Sequence, residues 1–347
     1  MISNLKILHV CKEDKATTFQ RRLAFKMLGL NNDIVFTFLL SKKQPAVKKL
    51  RNKIIFKFGY YPEYNNENKE ILNRVKNKKY DIIFIEKGVS IKPSTLKRVK
   101  HLLPLCKIVS YTLDDMMNPN NSSIQYRRSL KFYDFNFTNK KYNVSELHEQ
   151  GAKNVFYFKN GYCSLVHRPI KLNKEEEEFY NADVSFIGTF EKQRKTTLIS
   201  LANSGVNIKV WGWGVKHEFK HQNIQFLSKH VYGDEYAKVV SASKINLCFL
   251  RKANRDTETT RSVELPACGG FMIAERTQDH LDLFKEATEA EFFDNDLELK
   301  EKIFHYLTHE TKRIKIAAGG YQKCLSADYS YENQLRTILK KIVTDEK

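Results

Sequence analysis

Apolar runs of strand length recur through the first half of the chain. They are LKILHV from Leu5, DIVFTFLL from Asp33, KIIFKFGY from Lys53, YDIIFIEKG from Tyr80, CKIVSYTLDD from Cys106, FYDFNFTN from Phe132 and NVFYFKNG from Asn154. Segments of helical period sit between several of them. TTFQRRLAFKMLG, from Thr17, closes on Gly29, a residue suited to ending a helix; SELHEQ, from Ser145, is another. Short apolar runs alternating with helices predict βα units and a parallel sheet.

The rhythm breaks from Val166 to Ala182, where a proline, a run of glutamates and no sustained period predict a linker over 166–182. A second series follows. ADVSFIGTF from Ala182, VNIKVWGWG from Val206, KINLCFL from Lys244, FMIA from Phe271 and AEFFD from Ala290 are predicted strands. KQRKTTLISLANSG from Lys192, GDEYAKVVSAS from Gly233 and a segment opening near Thr259 are predicted helices, and the C-terminus is helical throughout. The pattern predicts two consecutive α/β domains, at 1–165 and 183–330, with a closing helix in 331–347. No repeat of 20–50 residues is visible.

Composition narrows the classes. At 347 residues and 41% hydrophobic, the chain can build a sizeable core in each half. No apolar run approaches the ~20 residues of a membrane span. The opening MISNLKILHVCKED reads as a first strand rather than a leader. Six cysteines (Cys11, Cys106, Cys163, Cys248, Cys268, Cys324) are far apart, and ten histidines form no HxxxH-like cluster. Buried free thiols in a cytoplasmic protein, with no metal site, are therefore expected.

Charge separates the halves. The net charge is +19, and residues 1–165 hold 31 Lys and Arg against 13 Asp and Glu, whereas 166–347 hold 28 against 27. A Lys-rich composition bias would touch both halves alike. The asymmetry points to an anionic partner for the first: a membrane leaflet, a phosphorylated lipid, an acidic glycan or a nucleic acid.

Open parallel sheets bind ligands beyond the C-terminal ends of their strands, so the polar residues there are the candidates. In VSFIGTFEKQRK a strand runs into Gly188 and Thr189, and a helix begins with Arg194 and Lys195 in its first turns. Helix N–H groups and two cations suit a diphosphate, and a plain βα turn with exposed bases fits as well. In FLRKANRDTETTRSVELPACGG a strand ends at Leu250, and a polar segment carries Arg251, Arg255 and Asp256. A helix then opens at Thr259, Thr260 and Arg261 with Glu264 inside it. Threonine caps, free N–H groups and Arg261 suit phosphate, and Glu264 suits vicinal hydroxyls such as those of a ribose. Trp211 and Trp213, the only tryptophans, flank Gly212 at strand period. One could stack on a base or sugar; both could equally be packing residues. In the first half Asp114 and Asp115 follow a strand directly, where paired acids can serve as general base, hydroxyl ligand, metal site or helix cap. Glu86 ends another strand with the same ambiguity, and His9 lies inside the first strand as a core histidine.

Taken in order, DVSFIGTFEKQR, VWGWG, SKINLCF, RDTETTRSVELPACGGFMIAERTQDHLDLF, EAEFFDNDLELKEKIFHYLTHETKRIKIAAGGYQKCL and YSYENQL resemble the successive blocks of the CgeB-like, spore-maturation-type glycosyltransferases over about residues 183–340. These carry a C-terminal domain of the glycosyl transferases group 1 kind. The first half is similar only through VSYTLDD and the HRP at His167–Pro169. The resemblance implies a GT-B fold, two Rossmann-like domains facing across a cleft. The donor, a nucleotide-diphosphate sugar, sits in the C-terminal domain and a glycan, lipid-linked or protein acceptor in the N-terminal one, with a helix near 331–343 crossing back. It implies E-x7-E acids; Glu264 matches the second, while Asp256 stands where the first would be. Many relatives have Arg after the strand-end glycine, where this chain has Thr189. Gly188, Thr189, Arg194, Lys195, Trp211, Trp213, Arg255, Thr259, Thr260, Arg261 and Glu264 are then the expected donor contacts. Asp256, Asp114 and Asp115 are the expected catalytic acids. Retaining transfer without metal or other cofactor is expected, in cell-envelope or surface-polysaccharide synthesis. The protein is then expected in the cytoplasm, with the basic half at the inner face of the plasma membrane. A nucleic-acid-binding protein and a non-catalytic nucleotide-sugar-binding protein are the alternatives; no helix-turn-helix or RNA-binding signature supports the former.

Overall fold

The computed structural model describes residues 2–40, 46–227 and 229–344. It forms two compact units, Met1–Lys159 with Glu332–Lys347, and Asn160–Tyr331.

The first unit is built on strands β1 (Ile7–Lys12), β2 (Asp33–Phe38), β3 (Ile82–Glu86), β4 (Lys107–Thr112), β5 (Phe135–Thr138) and β6 (Val155–Tyr157), in the order β2-β1-β3-β4-β5-β6, every pair parallel. The second holds β7 (Ala182–Ile187), β8 (Ile208–Trp211), β9 (Ile224–Leu227), β10 (Ser243–Cys248), β11 (Met272–Glu275) and β12 (Glu291–Phe293), in the order β12-β11-β10-β7-β8-β9, again all parallel. Helices cover the sheets, so central strands are buried on both faces and can read as nearly unbroken apolar runs, as in IIFIE of β3; β10, SKINLC, is nearly as buried but carries Asn246 inside. In each sheet the chain first winds one way, then returns to add strands on the other side of its first strand. The reversals fall between β1 and β3 and between β7 and β10, and the crevices beyond those strand ends are the natural ligand positions.

Two segments differ from the sequence pattern. KIIFKFGY is not a strand: it lies in the helix Ala46–Lys57 and the turn after it. A short apolar run has no period long enough to distinguish the two, and the helix buries Asn52 and half-buries Ile55 while leaving its other side out. Strand β9 was not expected; with Gln225 between Ile224 and Phe226 it is short and only partly buried.

Residues 166–182, expected as a linker, lie inside the second unit. Val166 and His167 are buried, and Asn173 and Glu176 form a reciprocal capping box that starts the helix Lys174–Tyr180. Tyr180 stacks on Trp211 with ring centroids 5.7 Å apart. The final helix, Tyr331–Thr344, returns to the first unit, where Tyr111 Oη donates to Gln334 Oε1 at 2.7 Å and Lys341 Nζ lies 4.0 Å over the Phe156 ring.

One close approach positions the later site. The helix Glu310–Ser326 carries Gly319 and Gly320 where it crosses the turn at Thr288–Glu289 and the helix Arg261–Ala267. A Cβ on Gly320 would stand 2.3 Å from the Glu289 carbonyl oxygen and 3.3 Å from Pro266 Cβ. Gly320→Ala is expected to lower unfolding stability by about 1–3 kcal/mol, because backbone must move to admit the methyl. An unchanged denaturant midpoint would show that the two helices have room to separate.

Candidate functional site

In the second unit the reversal between β7 and β10 gathers most of the expected donor residues. β7 ends at Ile187; the Gly188 N–H donates to the Trp211 carbonyl at 2.9 Å, and Thr189 follows, exposed. The helix Lys192–Asn203 then begins without a side-chain cap. Arg194, in its first turn, is buried. Its Nη1 donates to the Thr189 carbonyl at 3.0 Å and its Nη2 to those of Phe249 and Leu250 at 3.4 and 3.1 Å. Its guanidinium thus laces the loops after β7 and β10 together. Lys195 is half-buried with Nζ 4.8 Å over the Phe219 ring.

Beyond β10 the chain forms a short 3-10 turn. Arg255 closes it with φ 46°, exposed, and Asp256 Oδ1 accepts from Asn254 Nδ2 at 2.6 Å. Thr259 Oγ1 accepts from the Arg261 N–H at 3.1 Å and so closes the turn that leads into the helix Arg261–Ala267, while Thr260, at the N-cap, makes no side-chain capping bond. The N–H groups of Ser262, Val263 and Glu264 bond to the Thr259 and Thr260 carbonyls at 2.9–3.1 Å. The free N–H groups expected at this helix start are therefore already paired, because its opening is a tight turn. The cation remains: Arg261 is half-buried, with a buried Nε that has no hydrogen-bond partner among the described residues.

Glu264 is buried one turn further on. Burial raises its pKa to about 7, and Arg261, then the Thr260 and Tyr236 hydroxyls, pull the other way. His167 faces it, with Nε2 3.8 Å from Glu264 Oε1. His167 Nδ1 accepts the Cys163 N–H at 3.0 Å, and burial pushes its pKa down to about 3, so the ring is neutral with its proton on Nε2, towards the carboxylate. Arg194 is shifted down by burial and then by the charge of Arg261. Two guanidinium groups that repel one another form a place whose electrostatics a bound anion would relieve.

Both tryptophans are core residues. Trp211 is buried against Tyr180; Trp213 packs on Phe186, Phe190 and Phe226 and donates Nε1–H to the His217 carbonyl at 3.1 Å. Neither offers a free face to a base.

The first unit has its own crevice at the β1/β3 reversal. A cavity of about 430 Å³ is walled by Lys12, Thr18, Arg21, Phe38, Tyr61, Tyr64, Glu86, Lys87, Tyr111 and Asp114, among others. Asp114 and Asp115 part company here. Asp114 faces the cavity, half-buried, with Lys87 Nζ at 2.5 Å. Asp115 is buried and holds its loop, accepting from the Met117 N–H and from Asn143 Nδ2, both at 3.0 Å. At the cavity floor Glu86 accepts Arg21 Nε at 2.9 Å and Thr18 Oγ1 at 3.2 Å, lies 2.9 Å from His9 Nε2, and takes a second bond from Arg21 Nη2. Burial alone would raise the Glu86 pKa; Arg21 and His9 overcome it and hold the carboxyl well below the ordinary range. All six cysteines are free and buried, and no group of three metal-ligating side chains occurs among the described residues.

Two crevices beyond all-parallel six-stranded sheets define a class of protein, the GT-B fold. Solved structures agree over the whole chain. Sucrose-phosphate synthase from Thermosynechococcus elongatus matches with TM-score 0.67 and 12% identity, over 98% of this chain and 100% of that one. An alpha-glucosyltransferase in complex with UDP gives 0.64 and 14%, over 97% and 100%. HepE from Anabaena, in complex with UDP and glucose, gives 0.63 and 12%, over 97% and 100%. The family comparison is narrower: residues 193–340 match the glycosyl transferase-like family. No curated protein matches the chain at a significant level. The family match supports glycosyltransferase activity, and the solved structures share the fold.

Proposed function

We propose that the protein is a glycosyltransferase of the CgeB-like kind. It moves a sugar from a nucleotide-diphosphate sugar, held in the second unit, to a glycan, lipid-linked or protein acceptor at the cavity of the first. The observation that carries this reading is the grouping of Arg261, Arg194 and Glu264 beyond β7 and β10. Arg261 is the direct cation for the diphosphate. Arg194, spent on three carbonyls, shapes the loops that receive it. Lys195, Gly188 and Thr189 form the other lip. Glu264 accepts the ribose hydroxyls, with the neutral His167 ring 3.8 Å from its carboxyl. Arg255 and Asp256 stand on the neighbouring turn, where the sugar would lie. Cations in a partly dry site stabilise the leaving diphosphate, so the reaction needs neither metal nor further cofactor. Transfer with retention then leaves Asp114 to position an acceptor hydroxyl. Synthesis of an envelope or surface polysaccharide, with the basic half on the inner face of the plasma membrane, fits the excess of cations in residues 1–165.

The test is a thermal-shift series with UDP, GDP, dTDP, CDP and their sugar conjugates, with and without magnesium. One nucleoside diphosphate is expected to raise the Tm by several degrees, equally with and without the metal. Ligand at about 100 times its Kd contributes about 2.7 kcal/mol. UDP, bound in two of the structural neighbours, is the first to try. No shift with any nucleotide, on folded protein, would overturn the reading; a shift that requires magnesium would overturn its metal-free form.

A further inference from the structure

The first unit turns an apolar face outward. Ile54 is 53% exposed, Phe58 71% and Leu40 52%, and Phe56, Tyr60 and Phe38 are each more than a third exposed. Most of these belong to the helix Ala46–Lys57 and the turn that follows it. The Phe58 N–H bonds to the Ile54 carbonyl at 3.3 Å, so the helical course runs through Phe58. Arg51, Ile54 and Phe58 are then spaced i, i+3, i+7 and share one side, and exposed Lys53 and Lys57 flank it. A helix at the surface of a water-soluble fold ordinarily turns such residues inward. Grouped exposed apolar side chains mark a binding surface.

The other side of the same helix reaches the cavity through Phe56. Phe56 meets Tyr61 at 6.1 Å between ring centroids, Tyr61 meets Tyr64 at 5.9 Å, and Tyr64 meets Phe38 at 5.9 Å. Phe38, Tyr61 and Tyr64 also line the 430 Å³ cavity. The helix that carries Ile54 and Phe58 thus rests, through Phe56, on the aromatic cluster that walls the cavity.

We propose that this face, Ile54 and Phe58 with Arg51, Lys53 and Lys57 around them, docks the first unit on an anionic lipid bilayer, placing the cavity at the lipid surface. The inference rests on the membrane contact proposed above and adds the element and its mode. Apolar side chains enter the boundary between headgroups and acyl chains, while long basic side chains beside them keep their charges among the phosphates. The excess of 31 cations over 13 anions in residues 1–165 supplies the charge complementarity. A nucleic acid would match the cations, but it has no use for an isoleucine and a phenylalanine at the centre of the face. A cavity reached from the lipid surface suits an acceptor carried on a lipid.

The experiment is flotation of the full chain with vesicles of phosphatidylcholine alone, and of phosphatidylcholine and phosphatidylglycerol in about equal parts. Wild type is expected to float with the anionic vesicles, less so as salt rises. The Ile54→Ser/Phe58→Ser double variant is expected to bind them about tenfold or more weakly, since each side chain loses apolar burial. Both positions are exposed, so the nucleotide-induced thermal shift and the gel-filtration position should stay as in wild type. If the double variant floats like wild type, the docking element is overturned while the membrane contact stands. If wild type floats with neither vesicle, both are overturned and the donor site is untouched. If the double variant instead loses binding to duplex DNA, or loses self-association, the occupant is not lipid and the inference fails.

Discussion

Alanine at position 264 is expected to weaken nucleoside diphosphate binding by roughly a hundredfold and to abolish turnover, with the protein still folded. A carboxylate accepting two ribose hydroxyls contributes two charge-assisted hydrogen bonds, about 1.5–3 kcal/mol each, and about 3 kcal/mol is a hundredfold in Kd. The fold should survive because Glu264 is itself a burden: burial raises its pKa from the ordinary 4.5 to about 7. The sign of the pH dependence follows. The folded state holds this proton more tightly than the unfolded chain, so the contribution to stability is full below about pH 4.5 and is lost as pH rises to about 7. A shift of that size corresponds to about 3 kcal/mol. Wild type without ligand should therefore lose stability over this window, measured by urea unfolding at several pH values, and Glu264→Gln should lose much less. Binding of the nucleotide sugar should run the opposite way in wild type, strengthening towards pH 7, because hydroxyls donate to the ionised form. Equal binding of the sugar nucleotide by Glu264→Ala and wild type would remove Glu264 from the site, whatever the stability data show.

How much of this was visible in the residues can be judged position by position. The βα alternation was legible because buried parallel strands are short apolar runs closed by polar residues, and β3 shows it plainly. Lys53–Tyr60 was not, since an apolar run of helix-turn length on a half-exposed helix looks like a strand. The segment around Glu264 stood out as a candidate site from one carboxylate and one arginine after a strand end. Its partners were not. His167 lies nearly a hundred residues upstream in a stretch that resembles a linker, and only the fold brings its Nε2 to 3.8 Å from the carboxylate. The HRP at His167–Pro169 was the one signal, and its Pro169 proves to pack where a Cβ on Gly269 would stand, 3.2 Å away. Arg194 shows the converse. A cation in a first helical turn reads as a phosphate ligand, but sequence does not report that three carbonyls already occupy it. Asp114 and Asp115 are adjacent in the chain, yet one faces a cavity and the other holds a loop, a division set by Asn143 and Lys87 far along the sequence.

The largest stability effect is expected at Glu86, a residue read only as a strand-end acid. Removing its side chain leaves the buried Arg21 guanidinium without its charge partner, and breaking one side of a buried pair costs about 3–5 kcal/mol. Glu86→Ala should therefore lower the unfolding free energy by that amount. Because Arg21 and His9 depress the Glu86 pKa against the effect of burial, its contribution is present above the ordinary 4.5 and is lost as pH falls below it. Wild type should accordingly weaken on acidification in a way that Glu86→Ala does not. The double variant Arg21→Met/Glu86→Leu separates the pair from the site. Replacing both charges by apolar groups of similar size is often close to neutral, so it should recover most of the stability lost in Glu86→Ala. The same double variant speaks to chemistry. Glu86 lies at the cavity floor with three side chains already making four polar contacts to its carboxylate, which leaves it no capacity to take a proton from an acceptor. If its part is to hold the cavity in shape, the double variant should keep a measurable kcat with a raised KM for acceptor. Asp114→Asn, whose carboxylate faces the open space beside Lys87, should instead lower kcat. A double variant as stable as wild type but wholly inactive would make the buried pair part of the reaction, and Asp114 would lose its claim to the acceptor hydroxyl.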